Sequence, residues 1–126
     1  MKERAQALLK EAVKEVNEAN EELCRPEEDV VSIMVCKKSQ RAVNNFLRGF
    51  LLQNGVESKI DMTLEQLYRD CLAINPNFKK VDFSNFDCRS LNLNIDFKDC
   101  SDVSKVNGCF IIASKLDTFL REEKVI

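Results

Sequence analysis

Between Cys36 and Gly55 the apolar residues recur at steps that only a helix brings together. With about 3.6 residues per turn, Ala42, Phe46, Gly49 and Phe50 share a face, which Val43 and Leu47 widen, while Lys37, Arg41, Asn44 and Arg48 line up on the other side. The run Phe50, Leu51, Leu52 is apolar nearly all round, so neighbours are expected on several sides before Asn54 and Gly55, which tolerate the left-handed conformation, end the helix. A glycine inside a helix costs about 1 kcal/mol relative to alanine. Gly49, set among bulky residues, is therefore read as the point of a close helix crossing, and the whole stretch as the middle of a bundle.

The remaining periodicities supply the partners for such a helix. Ala5, Leu8, Leu9, Ala12, Val16, Ala19 and Leu23 repeat at three- and four-residue steps, predicting an amphipathic helix from about Lys2 to Leu23. Pro26 disfavours helix at Arg25, and the acids of Glu27, Glu28 and Asp29 suit a helix start, so the central helix is expected over about Glu27 to Asn54. After a short link from Val56 to Met62, Thr63 and Gln66 have capping-box spacing, and Leu64, Leu67, Tyr68 and Cys71 form the apolar side of a third helix that Asn75 and Pro76 stop. The short link implies that the second and third helices are antiparallel. A last helix is expected from about Asp102 to Glu123, with Val103, Val106, Phe110, Ala113, Leu116 and Leu120 inward.

From Pro76 to about Asp102 the pattern weakens. Pro76 and Ser84 can each open a turn or two of helix, and Phe78, Val81, Phe83 and Phe86 carry enough apolar area to pin the segment to the bundle. Leu91 to Phe97 alternates strictly, as an extended strand with one buried face does. A lone strand has unpaired backbone groups, to be met by solvent, side chains or a second copy. Such a long connection reads either as a cover for the core or as a binding loop. With 44% apolar residues, three glycines and two prolines in 126 residues, the expected fold is all-α: a single domain, an up-and-down bundle of four main helices with short extra helical turns and a long extended loop before the last helix.

Chemistry is constrained most by the absence of histidine. Ser-His and Cys-His nucleophile pairs and imidazole metal sites are excluded, leaving carboxylates, lysines, cysteines or Tyr68 for acid-base work. Glu11, Glu15, Glu18 and Glu22 line one side of the first helix as a solvated helix would carry them, and the three glycines stand apart, so no phosphate loop exists. Six scattered cysteines show no two-residue spacing and read as small buried thiols of a reducing compartment, with neither metal nor cofactor. The N-terminus has no apolar signal core and no run is long enough to span a bilayer, so a cytoplasmic chain without a membrane partner is expected.

The net charge of -2 hides an asymmetry: residues 1 to 29 hold five basic and nine acidic side chains, whereas residues 30 to 60 hold five basic ones and a single acid, Glu57. Lys37, Lys38, Arg41, Asn44 and Arg48 are thus the candidate binding residues, suited to the phosphates of a nucleotide or RNA. The competing reading makes them exposed charges that pair with the acidic first helix.

The segment from Cys36 through Ser39, Gln40, Ala42, Phe46, Leu47 and Arg48 to Gly55 resembles the second conserved segment of the HEPN domain, a helix with a Gln-x-Ala-x-Glu-Lys-x-Leu-Lys-Ala-like pattern ending near a glycine. Met62, Thr63, Leu64 and Glu65 stand where many members have a Thr-His-Asp-Leu-like helix start, followed by Asn-Pro, a long loop and a final amphipathic helix. The resemblance implies a dimerising helical bundle from a superfamily of RNases, nucleotide binders and partners of small nucleotidyltransferases in toxin-antitoxin systems. It departs from the catalytic members, whose arginine is followed a few residues later by histidine; Asn44 and Asn45 also replace Glu-Lys. No catalytic residue carries over. The expected function is a non-catalytic binding domain acting as a homodimer and contacting nucleotide or RNA, with a divergent RNase or nucleotide-processing enzyme, or a partner of a small nucleotidyltransferase, as the alternatives.

Overall fold

The apolar periodicities become four α-helices in the computed structural model, which describes residues 2–24, 26, 32–59, 61–81 and 103–126. These are α1 (Lys2–Leu23), α2 (Ser32–Gln53), α3 (Leu64–Ile74) and α4 (Val103–Glu122), with a 3-10 turn over Pro76–Lys80 between α3 and α4. The protein is an all-α helical bundle, with no strand among the described residues. The expected helix start at Glu27, the alternating segment Leu91 to Phe97 and the long loop before α4 lie outside the described residues.

The most extensive interface joins α1 to α2. Ala5, Leu9, Ala12, Val16 and Ala19 are buried on α1, facing Val35, Ala42, Val43, Phe46 and Phe50 of the same core. Gly49 is where the two helices come closest: a Cβ built there would lie 2.8 Å from Leu9 Cγ, 2.9 Å from Leu9 Cδ2 and 3.3 Å from the Ala5 carbonyl oxygen. The close crossing expected from sequence is thus present. Near the other end of α2, Lys38 reaches Glu15 and Glu18, so the two helices run antiparallel.

Both ends of the middle section are closed by local chemistry. Gly55, at φ 79°, carries the left-handed residue of a Schellman ending: its N–H donates to the Leu52 carbonyl at 3.0 Å and the Val56 N–H to the Leu51 carbonyl at 2.8 Å. α3 begins with the expected capping box, the Gln66 N–H donating to Thr63 Oγ1 at 3.2 Å and the Thr63 N–H to Gln66 Oε1 at 3.0 Å. It turns back along α2 far enough for the Cys71 thiol to donate to the Leu47 carbonyl at 3.6 Å.

Asn75 ends α3 and opens the 3-10 turn, its Oδ1 accepting from the Asn77 N–H at 3.0 Å. That turn delivers Phe78 to the centre of the bundle. The Phe78 ring packs edge-on to Phe50 of α2 (centroids 4.8 Å apart, planes at 65°) and tilted against Phe119 of α4 (4.7 Å, 56°). The Tyr68 hydroxyl shares its proton between the carbonyls of Phe78 (3.1 Å) and Val81 (3.3 Å), and Asn77 Nδ2 donates to Glu123 Oε1 at 2.8 Å. A five-residue turn therefore ties three helices together.

Gly49→Ala sets a propensity gain of about 1 kcal/mol against overpacking of typically 1–3 kcal/mol. Because Leu9 is met at its branch carbon, overpacking wins and the variant unfolds at lower denaturant concentration. In a Leu9→Ala background the same change is neutral or stabilising, and a double-mutant cycle in urea measures that coupling; additive effects would place the crossing elsewhere.

Candidate functional site

The five candidate residues of α2 divide by what each side chain already touches. Lys38 turns toward α1, where its Nζ lies 2.7 Å from Glu18 Oε2 and 3.4 Å from Glu15 Oε2. The hydrogen bond to Glu18 holds the ammonium pKa above the ordinary lysine range, and the same bond holds the Glu18 carboxylate below its own. The charge is thus met within the bundle. Here the pairing with the acidic first helix is realised.

Arg48 is used in a different way. Its Nε donates to Asn44 Oδ1 at 3.0 Å, one turn back, and its Nη1 to Ser58 Oγ and to the Lys59 carbonyl, both at 2.9 Å. This clasps the link between α2 and α3 to the flank of α2. Partial burial lowers the guanidinium pKa, against the opposing charge of Asp61. Arg48 and Asn44 together position the connection.

Lys37 and Arg41 are left. Lys37 is exposed and Arg41 half-buried, and neither makes a hydrogen bond or ion pair to another described residue. Met34 stands one turn before Lys37 with 45% of its surface exposed, so Met34, Lys37 and Arg41 form a short apolar and basic strip at helical spacing. The structure keeps the candidate residues on one helix while giving two of the three stripe neighbours of Arg41 internal duties.

Beneath this face lies a polar seam that sequence periodicity did not reveal. Glu15 and Ser39 are buried, and Glu15 Oε2 and Ser39 Oγ have no hydrogen-bond partner among the described residues, although the Glu15 carboxylate does have the Lys38 charge 3.4 Å away. Burying a carboxylate costs several kcal/mol unless a counter-charge accompanies it. Lys38 is that counter-charge. The i, i+4 spacing of Asn44 and Arg48 was readable in sequence, but Ser58 and the Lys59 carbonyl as further acceptors were not, because they come from an irregular link.

Cysteine chemistry differs from the expectation at one position. Cys24 and Cys71 are free, and burial pushes the Cys71 thiol far up, so it is an unreactive core group as read from sequence. Cys36, fully buried on α2, is disulfide-bonded, which corrects the reading of every cysteine as a reduced thiol. Its partner is outside the described side chains. Pairing needs two Cα atoms within about 7 Å, a tertiary fact that spacing along the chain does not encode. Among the described residues, no group of three or more Cys, Asp or Glu side chains is placed to hold a metal ion, and no helix is long and apolar enough to cross a membrane. No family model, curated protein or solved structure matches this chain.

Two outcomes follow from this geometry. Glu18, with its folded pKa below the ordinary value of about 4.3, contributes stability above that pH and loses it as pH falls through the folded value. Lys38, with its pKa raised above about 10.4, contributes fully below that pH and loses it as pH rises through the folded value. The stability difference between wild type and Lys38→Met is therefore flat through neutral pH and shrinks at both extremes, as urea melts across pH will record; a difference independent of pH in acid removes the ion pair from the account. Second, a Cys36 disulfide consumes two of the six thiols. Alkylation of denatured, unreduced protein then labels at most four, and labelling of all six refutes the bond.

Proposed function

We propose that the chain is a non-catalytic, HEPN-like binding domain that works as a homodimer and contacts the phosphates of RNA or a nucleotide through the solvent face of α2. The observation that supports this reading is the state of Arg41. It is the arginine of the stripe whose guanidinium makes no bond to another described residue, and Lys37 beside it is equally unengaged. A planar fork and an ammonium one turn apart suit phosphate oxygens.

Arg41 also stands on the helix whose sequence carries the family resemblance. The catalytic alternative is less favoured: histidine is absent, Cys71 is buried and raised in pKa, and the Tyr68 proton is shared between two backbone carbonyls. Lys38 and Arg48 are not assigned to the ligand, since withdrawing either would break bonds within the bundle.

Fluorescence anisotropy with short labelled single-stranded RNAs and nucleoside triphosphates tests the proposal. Lys37→Glu and Arg41→Glu are each expected to weaken binding about tenfold or more and to flatten the salt dependence by roughly one unit of slope per lost phosphate contact. Lys79→Glu, on the 3-10 turn, should have no effect. Unchanged affinity in both α2 variants would make the strip plain solvent surface. The same samples, run in sedimentation, are expected to be dimeric, and intact RNA recovered after incubation separates binding from cleavage.

A further inference from the structure

The chain contains two Asn-Gly pairs, Asn54–Gly55 and Asn107–Gly108. In such a pair the glycine nitrogen, uncrowded by any Cβ, can attack the preceding asparagine side chain, so sequence alone makes both equal candidates for deamidation. The fold separates them. Residues 107 and 108 lie inside α4 (Val103–Glu122), where helical dihedrals do not permit the five-membered ring of the intermediate and backbone N–H groups are spent on the ladder. Asn54 lies just past the last residue of α2 (Ser32–Gln53), and both it and Gly55 are exposed. The space around Gly55 is open, since a Cβ built there would meet nothing within 4 Å.

Hydrogen bonds hold the reacting groups of this pair apart while α2 ends as it does. Asn54 Nδ2 donates to the Phe50 carbonyl at 2.8 Å, and the Gly55 N–H donates to the Leu52 carbonyl at 3.0 Å. Attack by the Gly55 nitrogen requires both to be released, so the last turn must first open. Helix ends open at far lower free energy than the whole fold. The Val56 N–H, bonded to the Leu51 carbonyl at 2.8 Å, and Arg48 Nη1, bonded to Ser58 Oγ and the Lys59 carbonyl at 2.9 Å, fasten the link behind Gly55 and oppose that opening.

We propose that Asn54 is a site of spontaneous deamidation in the folded protein, with the Arg48 clasp setting its rate. The Gly55 nitrogen loses its proton to base and attacks Asn54 Cγ; the new C–N bond forms as the Cγ–Nδ2 bond breaks, and ammonia leaves. Water then opens the succinimide at either carbonyl, giving aspartate or isoaspartate. Each product exchanges the amide that donates to the Phe50 carbonyl for a carboxylate at the C-terminus of α2, where the helix dipole is already negative. The change is one-way and loosens the connection between α2 and α3.

The test is incubation of the full chain at mildly alkaline pH, folded or in concentrated urea, with peptide mapping by mass spectrometry and isoaspartyl methyltransferase labelling. In urea the two asparagines are expected to convert at similar rates. In the folded protein Asn54 slows about tenfold, as the opening of a helix end implies, and Asn107 slows by at least about tenfold more. Arg48→Met is expected to speed Asn54 several-fold while leaving Asn107 as it was, which a merely unfolded variant would not do; Ser58→Ala gives a smaller rise of the same kind. Asn54→Asp, standing for one product, speeds amide exchange at Val56. Equal conversion of Asn54 and Asn107 in the folded protein, protection of Asn54 by more than about a hundredfold, or an Asn54 rate unmoved by Arg48→Met would each overturn the proposal.

Discussion

The contact at Gly49 sets the register on which the remaining features depend. Without a side chain there, α2 approaches α1 until Leu9 and the Ala5 carbonyl oxygen fill the space of a missing Cβ. Two helices that cross so closely have little freedom to slide. The register that places Leu9 over Gly49 also places Glu15 and Glu18 beside Lys38 farther along the pair. One steric fact thus decides which cation of α2 is neutralised.

What the sequence made legible follows from local physics. The helical seam of α2, the Thr63–Gln66 capping box and the stop at Asn75 are set by residues within a turn or two of each other, and all are found as read. Gly49 was legible for a related reason, since a residue that weakens a helix invites a search for what it permits. Tertiary partners were not legible. Periodicity placed Arg41 and Arg48 on one stripe as equals, but Ser58 and the Lys59 carbonyl, supplied by the link, turn Arg48 into a clasp. Spacing likewise showed Glu15 on the polar side of α1, whereas it is buried against Lys38. The Cys36 disulfide belongs to the same class of long-range facts.

Phe78 shows how a weakly patterned segment acquires a strong role. A five-residue 3-10 turn has little cohesion of its own, because its hydrogen bonds are poorly aligned. Its order comes from the ring between Phe50 and Phe119 and from the Tyr68 hydroxyl bonded to its backbone. The hydrophobic burial of one aromatic side chain, about 1.5–3 kcal/mol, outweighs what the turn lacks in local stability. Sequence identified Phe78 as apolar ballast; its place at the junction of α2, the turn and α4 is what makes it central.

These placements bear on catalysis versus binding more directly than composition does. An acid-base residue must be free to exchange a proton with a ligand, near the pH at which it works. Cys71 is sealed in the core with its pKa driven upward, and Tyr68 directs its proton at the backbone. Lys38 is tied to Glu18 with its pKa raised, further from neutrality than an ordinary lysine. Lys37 and Arg41 are the cations of the stripe that bond no other described residue.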